Sequence, residues 1–191
     1  MISRLRIILV TVNNHKLRYN NSMLKRANQI QTLDIASLHT SNVIDQTDEM
    51  IIDPNNLSVV GFYLSESPEK ILLAQDIREC NDKQAIVDSS DVFAEPGDLL
   101  RLKETLDIKY RLIGAKAWTK SGKKLGTITD YVIDDISWMI QKLHIKQPLF
   151  SNLSNGTLIV DRRQVIEVTD EHVIVEDAIL GNRKFATQNV S

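Results

Sequence analysis

YRLIGAKAWTKSGKKLGTITDYVIDDISWMIQKLHI, residues 110 to 145, decides the fold, because a weaker version of the same pattern occurs earlier in the chain. YVIDDISWMIQKLHI (Tyr131 to Ile145) aligns without a gap on MIIDPNNLSVVGFYL (Met50 to Leu64) at an offset of 81, which places Asp134 on Asp53. VIEVTDEHVIVE (Val165 to Glu176) aligns on IRECNDKQAIVD (Ile77 to Asp88) at an offset of 88, pairing Glu167 with Glu79, Asp170 with Asp82 and Ile174 with Ile86. The difference is an insertion of 7 residues, and HIKQPLFSNLSNGT in the second copy, against YLSESPEK in the first, accommodates it. A repeat of this period fixes the architecture before any motif does: two copies of one small β unit.

Within the second copy, Ser121-Gly122 reads as the turn of a hairpin whose return strand runs from Leu125 to Ile133. Glycine is suited there because it takes a positive φ without a Cβ clash. The next strand is expected over Trp138 to Ile145. Simple alternation would put Met139, Leu143 and Ile145 on one face and Trp138 with Ile140 on the other. QPLFSNLSNGT (147 to 157) is a loop by composition, Thr157 to Val160 a further strand, and Val165 to Val168 with His172 to Val175 a closing hairpin.

The run of Gly114, SGK (Gly122), LG (Gly126), Asp130 and Asp134, followed by strand, loop, strand and a closing valine-rich hairpin, resembles the PRC-barrel domain over residues 110 to 180. Over residues 23 to 95 the resemblance is fainter, since that copy lacks the glycines. The resemblance implies an all-β protein with two small PRC-type β-barrels in tandem and one short helix between them. The divisions it suggests are an N-terminal extension (1–22), a degenerate first unit (23–95), a helical linker (96–109), a second unit (110–180) and a C-terminal tail (181–191). Tandem bacterial members of this family have no established role. Single members occur in the H subunit of photosynthetic reaction centres and in a ribosome-maturation factor.

The linker PGDLLRLKETLDI carries Pro96-Gly97 as a strand breaker, Asp98 as a candidate N-cap, and Leu99, Leu102 and Leu106 at helical spacing. A helix of roughly eleven residues is marginal alone and must be held by docking its leucines.

Apolar residues make up 42% and charged residues 25%, ordinary for a globular protein. The formal net charge of −2 conceals an uneven distribution: +4 over residues 1–22, −8 over 23–95 and +2 over 96–191. Such asymmetry bears on partners and not on fold. Cys80 is the single cysteine, so no intramolecular disulfide is available and nothing points to an oxidising compartment. The apolar run from Ile7 to Val12 after Arg4 and Arg6 is too short for a signal-peptide core or for the roughly 20 residues of a membrane span. An extension outside the repeated units, an extra strand and a weak basic anchor remain open for it.

Chemistry is sparse. The four histidines, His15, His39, His144 and His172, form no ligand-spaced pair, so neither a metal nor a cofactor is expected. Asp130 and Asp134 share a strand face roughly 13 Å apart at about 3.3 Å per residue, too far to chelate one ion. Asp134, like Asp53, is expected to cap the turn after its strand. SGKKLG lacks the frame of a phosphate loop. Lys116, Lys120, Lys123 and Lys124 nevertheless surround one hairpin and could touch phosphate or an acidic partner. The other candidate partner surface is Leu149, Phe150 and Leu153, large apolar groups placed in a loop.

The expectation is a cytoplasmic, non-enzymatic binding or scaffolding protein with an unknown protein partner. RNA- or ribosome-linked assembly and membrane-associated assembly are the alternatives that the resemblance suggests. The acidic first unit argues against broad RNA contact, and no segment supplies a membrane-spanning helix.

Overall fold

The computed structural model describes residues 23–148, 156–169 and 172–177. In chain order they form β1 (Leu24–Arg26), α1 (Ala27–Ile30), β2 (Asp34–Ser37), β3 (Val43–Asp53), β4 (Ser58–Leu64), β5 (Ile71–Leu73), β6 (Glu79–Cys80), β7 (Gln84–Val87), β8 (Phe93–Ala94), α2 (Lys103–Ile108), β9 (Lys116–Thr119), β10 (Lys124–Asp134), β11 (Ile140–Lys146), β12 (Thr157–Asp161), β13 (Val165–Val168) and β14 (His172–Val175).

The protein is mostly β, with two sheets. The first is ordered β6-β7-β2-β3-β4-β5-β8. The second is ordered β13-β14-β9-β10-β11-β12, with β1 added alongside β10. Apart from β8 and β1 the two orders are the same, including a parallel pairing of the first and last strands of each unit, β2 with β7 and β9 with β14. Among the described residues the pairing closes neither sheet into a ring.

The likeness extends to single residues. Met50 faces Phe62 and Tyr131 faces Leu143, each 81 positions on, and Ile52 faces Val59 as Ile133 faces Ile140. Leu72 lies opposite Phe62 and Val160 opposite Leu143, so the offset has become 88 by the fourth strand. The inserted residues therefore fall between β11 and β12, where the sequence placed them.

A β-bulge recurs at the same place in both units, with Val60 extra between Val59 and Gly61 and Gln141 extra between Ile140 and Lys142. A bulge shifts the side-chain phase by one residue. Ile140 consequently joins Leu143 and Ile145 in the core, all fully buried, rather than standing on the opposite face as alternation predicts. Trp138 is not in the strand. It sits in the preceding turn at φ 57°, and its counterpart Leu57 has φ 49°.

The linker departs from the expected single helix. Pro96–Asp98 and Leu100–Leu102 are separate 3₁₀ turns, and α2 proper begins at Lys103 with Leu102 rather than Asp98 at its N-cap. Proline at the start and Leu99 at φ −90°, ψ 57° break the α geometry. α2 ends at Lys109, which takes the left-handed C-terminal conformation at φ 49°. Leu106 is buried with Ile51 and Ile71, and Leu99 and Leu102 pack half-buried on that cluster. Leu102→Asp is expected to cost roughly 1 to 3 kcal/mol by placing a charge against this apolar surface. Chemical denaturation checks it, and an unchanged midpoint would mean that the linker does not need its dock.

Candidate binding surface at the seam between the units

One core cluster contains residues of both units, from Ile30, Leu33, Met50, Val59 and Phe62 to Leu112, Leu125, Ile133, Trp138 and Leu143. At its centre the turns after β3 and β10 meet. The Val59 amide donates to the Trp138 carbonyl at 2.8 Å, and the Ile140 amide donates to the Leu57 carbonyl at 2.8 Å. Ser58 and Met139 form an antiparallel bridge between these bonds. Residues 57, 58 and 59 correspond to 138, 139 and 140 in the repeat, so each bond is the other with the units exchanged. Reciprocal contacts of this kind define a two-fold axis.

Met50 and Tyr131, also counterparts, meet near the same axis, where the buried Tyr131 hydroxyl donates to Met50 Sδ at 3.5 Å. Burial pushes the Tyr131 phenol well above its ordinary range, and the Asp130 and Glu49 carboxylates add to this. Phe62 meets Trp138 edge to face, with centroids 5.5 Å apart. Arg162 Nη1 also donates to the Leu57 carbonyl, at 3.0 Å.

Among the described residues a groove lies on each side of the seam, and the linker walls one of them. The first has a volume of about 740 Å³ and is walled by the Ser58–Val60 segment, the Ile136–Met139 turn and linker residues Asp98–Leu102. Its lining is more apolar than polar, with Asp98 and Arg101 among the linker residues, and Leu100 and Ile136 are 79% and 57% exposed. Its counterpart, about 450 Å³, is lined by Asn55, Asn56, Arg162, Arg163 and Ile166 and is polar.

The structural residues named from the sequence have definite roles. Asp134 Oδ1 accepts from the Ile136 amide at 3.1 Å, the Ser137 amide at 2.8 Å and the Ser137 hydroxyl at 2.9 Å, holding the turn that carries Trp138. Asp53 Oδ1 accepts from the Asn55 amide at 2.9 Å in the counterpart turn. These two aspartates therefore shape the seam. Asp130 Oδ1 accepts from the Tyr131 amide, and Oδ2 lies 3.9 Å from Arg26 Nε. Gly114 at φ 98° opens the second unit, with its amide on the Ile128 carbonyl. Gly122 at φ 83° turns the β9–β10 hairpin.

The lysine hairpin is partly engaged with its own surface. Lys116 Nζ donates to Thr127 Oγ1 at 3.1 Å, and Lys124 lies over the Trp118 ring at 5.9 Å. Asp177 caps the same turn by accepting from the Ser121 hydroxyl and amide, and these hydrogen bonds, with Lys120 nearby, hold its carboxyl below the ordinary range. Lys120 and Lys123 are exposed. Leu149, Phe150 and Leu153 lie outside the described residues. Sequence reading missed the seam groove because its walls come from segments far apart in the chain. The Leu99-Leu100 pair in a short linker was its one local trace.

Among the described residues no group of three or more His, Cys, Asp or Glu side chains is placed to hold a metal ion. No helix among them is long and apolar enough to cross a membrane. Cys80, on β6, lies near the buried Lys25, whose Nζ is 2.5 Å from Asp82 Oδ1. Burial pushes its thiol up to about 11, opposed by the Lys25 ammonium. Only the thiolate is strongly nucleophilic. Alkylation by iodoacetamide is therefore expected to be slow at pH 8 and to rise steeply only as pH approaches 11, whereas the unfolded chain reacts readily near pH 9. A folded protein alkylated as fast as the unfolded chain at pH 8 would contradict this.

No family model matches the chain, and no curated protein matches it.

Proposed function

We propose that the chain is a non-enzymatic binding or scaffolding protein built from two PRC-barrel-like units fused about a two-fold seam, and that it holds a protein partner in the apolar groove across that seam. The groove carries the reading. A solvated linker has no need for Leu100 at its outermost point or for Ile136 facing it, and large exposed apolar patches on a protein mark contact sites. Matching strand orders and registers support the PRC-barrel assignment of both units, and Asp134, Asp161 and Asp177 of the second unit are engaged in holding turns.

The test is photo-crosslinking from a benzoylphenylalanine placed at Leu100, in cells, followed by measurement of the captured protein's affinity for purified variants. Leu100→Lys with Ile136→Lys is expected to weaken binding by about tenfold or more while leaving the denaturation midpoint within about 0.5 kcal/mol. Neutralising Lys120, Lys123 and Lys124 to Gln is expected to leave binding nearly intact. The reverse pattern, with strong salt dependence, would favour an anionic partner at the lysine hairpin and overturn the groove.

A further inference from the structure

β1 precedes the first unit in the chain yet pairs with the second. It sets Lys25 opposite Ile133 and Arg26 opposite Val132 on β10, on the side where the pairing that begins with β9 has ended at Ile128. In the first unit the pairing of β3 towards β2 ends likewise at Thr47, whose amide donates to the Leu33 carbonyl at 2.9 Å. Past Thr47 no strand lies on that side of residues 50–53 among the described residues. The edge that β1 fills in one unit is open in the other.

The open edge directs peptide groups outward. Directly opposed antiparallel residues exchange both backbone bonds or neither. Ile52 stands opposite Val59, whose amide goes instead to the Trp138 carbonyl, so Ile52 turns its N–H and C=O away from β4. Its counterpart Ile133 is in the same state, because the Ile140 amide goes to the Leu57 carbonyl, and its outward groups face Lys25 of β1. No backbone group among the described residues reaches Ile52 from that side. Ile52 is only 5% exposed, and peptide groups shielded from water cost free energy until a partner meets them.

Two adjoining cavities lie there, of about 310 and 440 Å³, sharing Glu49, Met50, Ile52, Tyr110 and Arg111 as walls. Each is large enough for part of a ligand. Glu49 is the counterpart of Asp130, which lies 3.9 Å from Arg26 of β1. Glu49 already holds a guanidinium, that of Arg111 at 3.1 Å, with both side chains well exposed. Pro54 stands where Asp135 donates its amide to the Met23 carbonyl, and proline has no amide to give, so strand pairing in the first unit stops at Ile52.

We propose that this edge of β3 binds an extended, arginine-bearing segment of another protein, antiparallel and in the register that β1 adopts on β10. β1 is the template for the occupant. Main-chain bonds to Ile52 hold the segment, and an arginine opposite Ile51 reaches Glu49 diagonally on the same face, as Arg26 opposite Val132 reaches towards Asp130. Arg111 occupies Glu49 until the segment arrives. The inference stands on the strand correspondence and is independent of the seam groove as a partner site.

The experiment uses the full chain and a synthetic peptide copying residues 23–28, blocked at both ends, with backbone amide exchange followed by NMR. Saturating peptide is expected to slow exchange of the Ile52 amide about fivefold or more and to leave the Ile133 amide, already paired with β1, unchanged. Replacing the peptide's arginine by glutamate should weaken binding about threefold or more, and Glu49→Gln should abolish that preference. Arg111→Ala should strengthen binding about threefold by freeing Glu49. No slowing at Ile52 would overturn the proposal, as would equal binding of the arginine and glutamate peptides. An Ile52 amide as protected as that of Ile133 before peptide is added would show the edge already taken, and would overturn it too. The occupant would then be a second copy if protection grows with protein concentration, or residues 1–22 if removing them abolishes it.

Discussion

Gly126→Ala is expected to destabilise the protein by roughly 3 to 5 kcal/mol, the sum of backbone strain and overpacking. Gly126 has φ 150°, and a Cβ built on it would lie 2.0 Å from the Lys146 carbonyl oxygen and 2.8 Å from its carbon. Both belong to the backbone of the neighbouring strand, so no rotamer can relieve the contact. The register pairs Ala117 with Gly126 as it pairs Ile35 with Asp45, so the first unit carries an aspartate at the same bulge. Asp45 is buried, and its Oδ1 accepts from the Glu66 amide at 3.0 Å and its own neighbour Gln46 at 2.7 Å. One unit thus brings its backbones together through a missing side chain and the other links them through a carboxylate. Gly97→Ala is the control, since nothing lies within 4 Å of its Cβ position. Its midpoint should shift by no more than about 0.5 kcal/mol in the same denaturant titration. Equal shifts for the two variants would refute the close approach at Gly126.

Trp138→Ala is expected to cost roughly 3 to 5 kcal/mol, the usual penalty for emptying a buried aromatic site. Trp138 is 6% exposed and meets the fully buried Phe62 of the other unit. A double-mutant cycle with Phe62→Ala should return a coupling of about 0.5 to 1.5 kcal/mol for the edge-to-face pair. The residue's φ of 57° adds a signed comparison. Trp138→Gly should be more stable than Trp138→Ala by about 1 kcal/mol, against the ordinary order of these residues, because alanine keeps the left-handed strain and glycine does not. Unfolding should remain a single transition in all these variants, since the core is shared across the seam. Two separated transitions with an unaffected first unit would mean that the seam contributes little.

How much was legible can be judged residue by residue. The offsets of 81 and 88 were readable from Met50 to Leu64 and from Ile77 to Asp88, because strand registers preserve the spacing of buried positions. Asp53 and Asp134 as turn caps were readable because an Asx turn is local chemistry. Ile140 was misplaced: a bulge at Gln141 leaves no mark in an alternating pattern, and only the partner strand reveals the extra residue. The linker helix was overextended for a similar reason, since Asp98 and the leucine spacing fit an α-helix while the docked Leu99 and Leu102 fit 3₁₀ turns as well.

The sequence by itself determined that the chain is built from two β units with equivalent strands, where the seven-residue insertion falls, and that Asp53 and Asp134 terminate equivalent strands. These properties reside in spacing and short-range hydrogen bonding, which a linear chain displays. Tertiary structure alone decided that the two units face each other about a two-fold axis, that the Trp138 carbonyl accepts from the Val59 amide there as the Leu57 carbonyl accepts from the Ile140 amide, and that the linker walls a groove beside that seam. Those features join residues some eighty positions apart. Their energy comes from burying surfaces against each other, and no local pattern records which surface a side chain will meet.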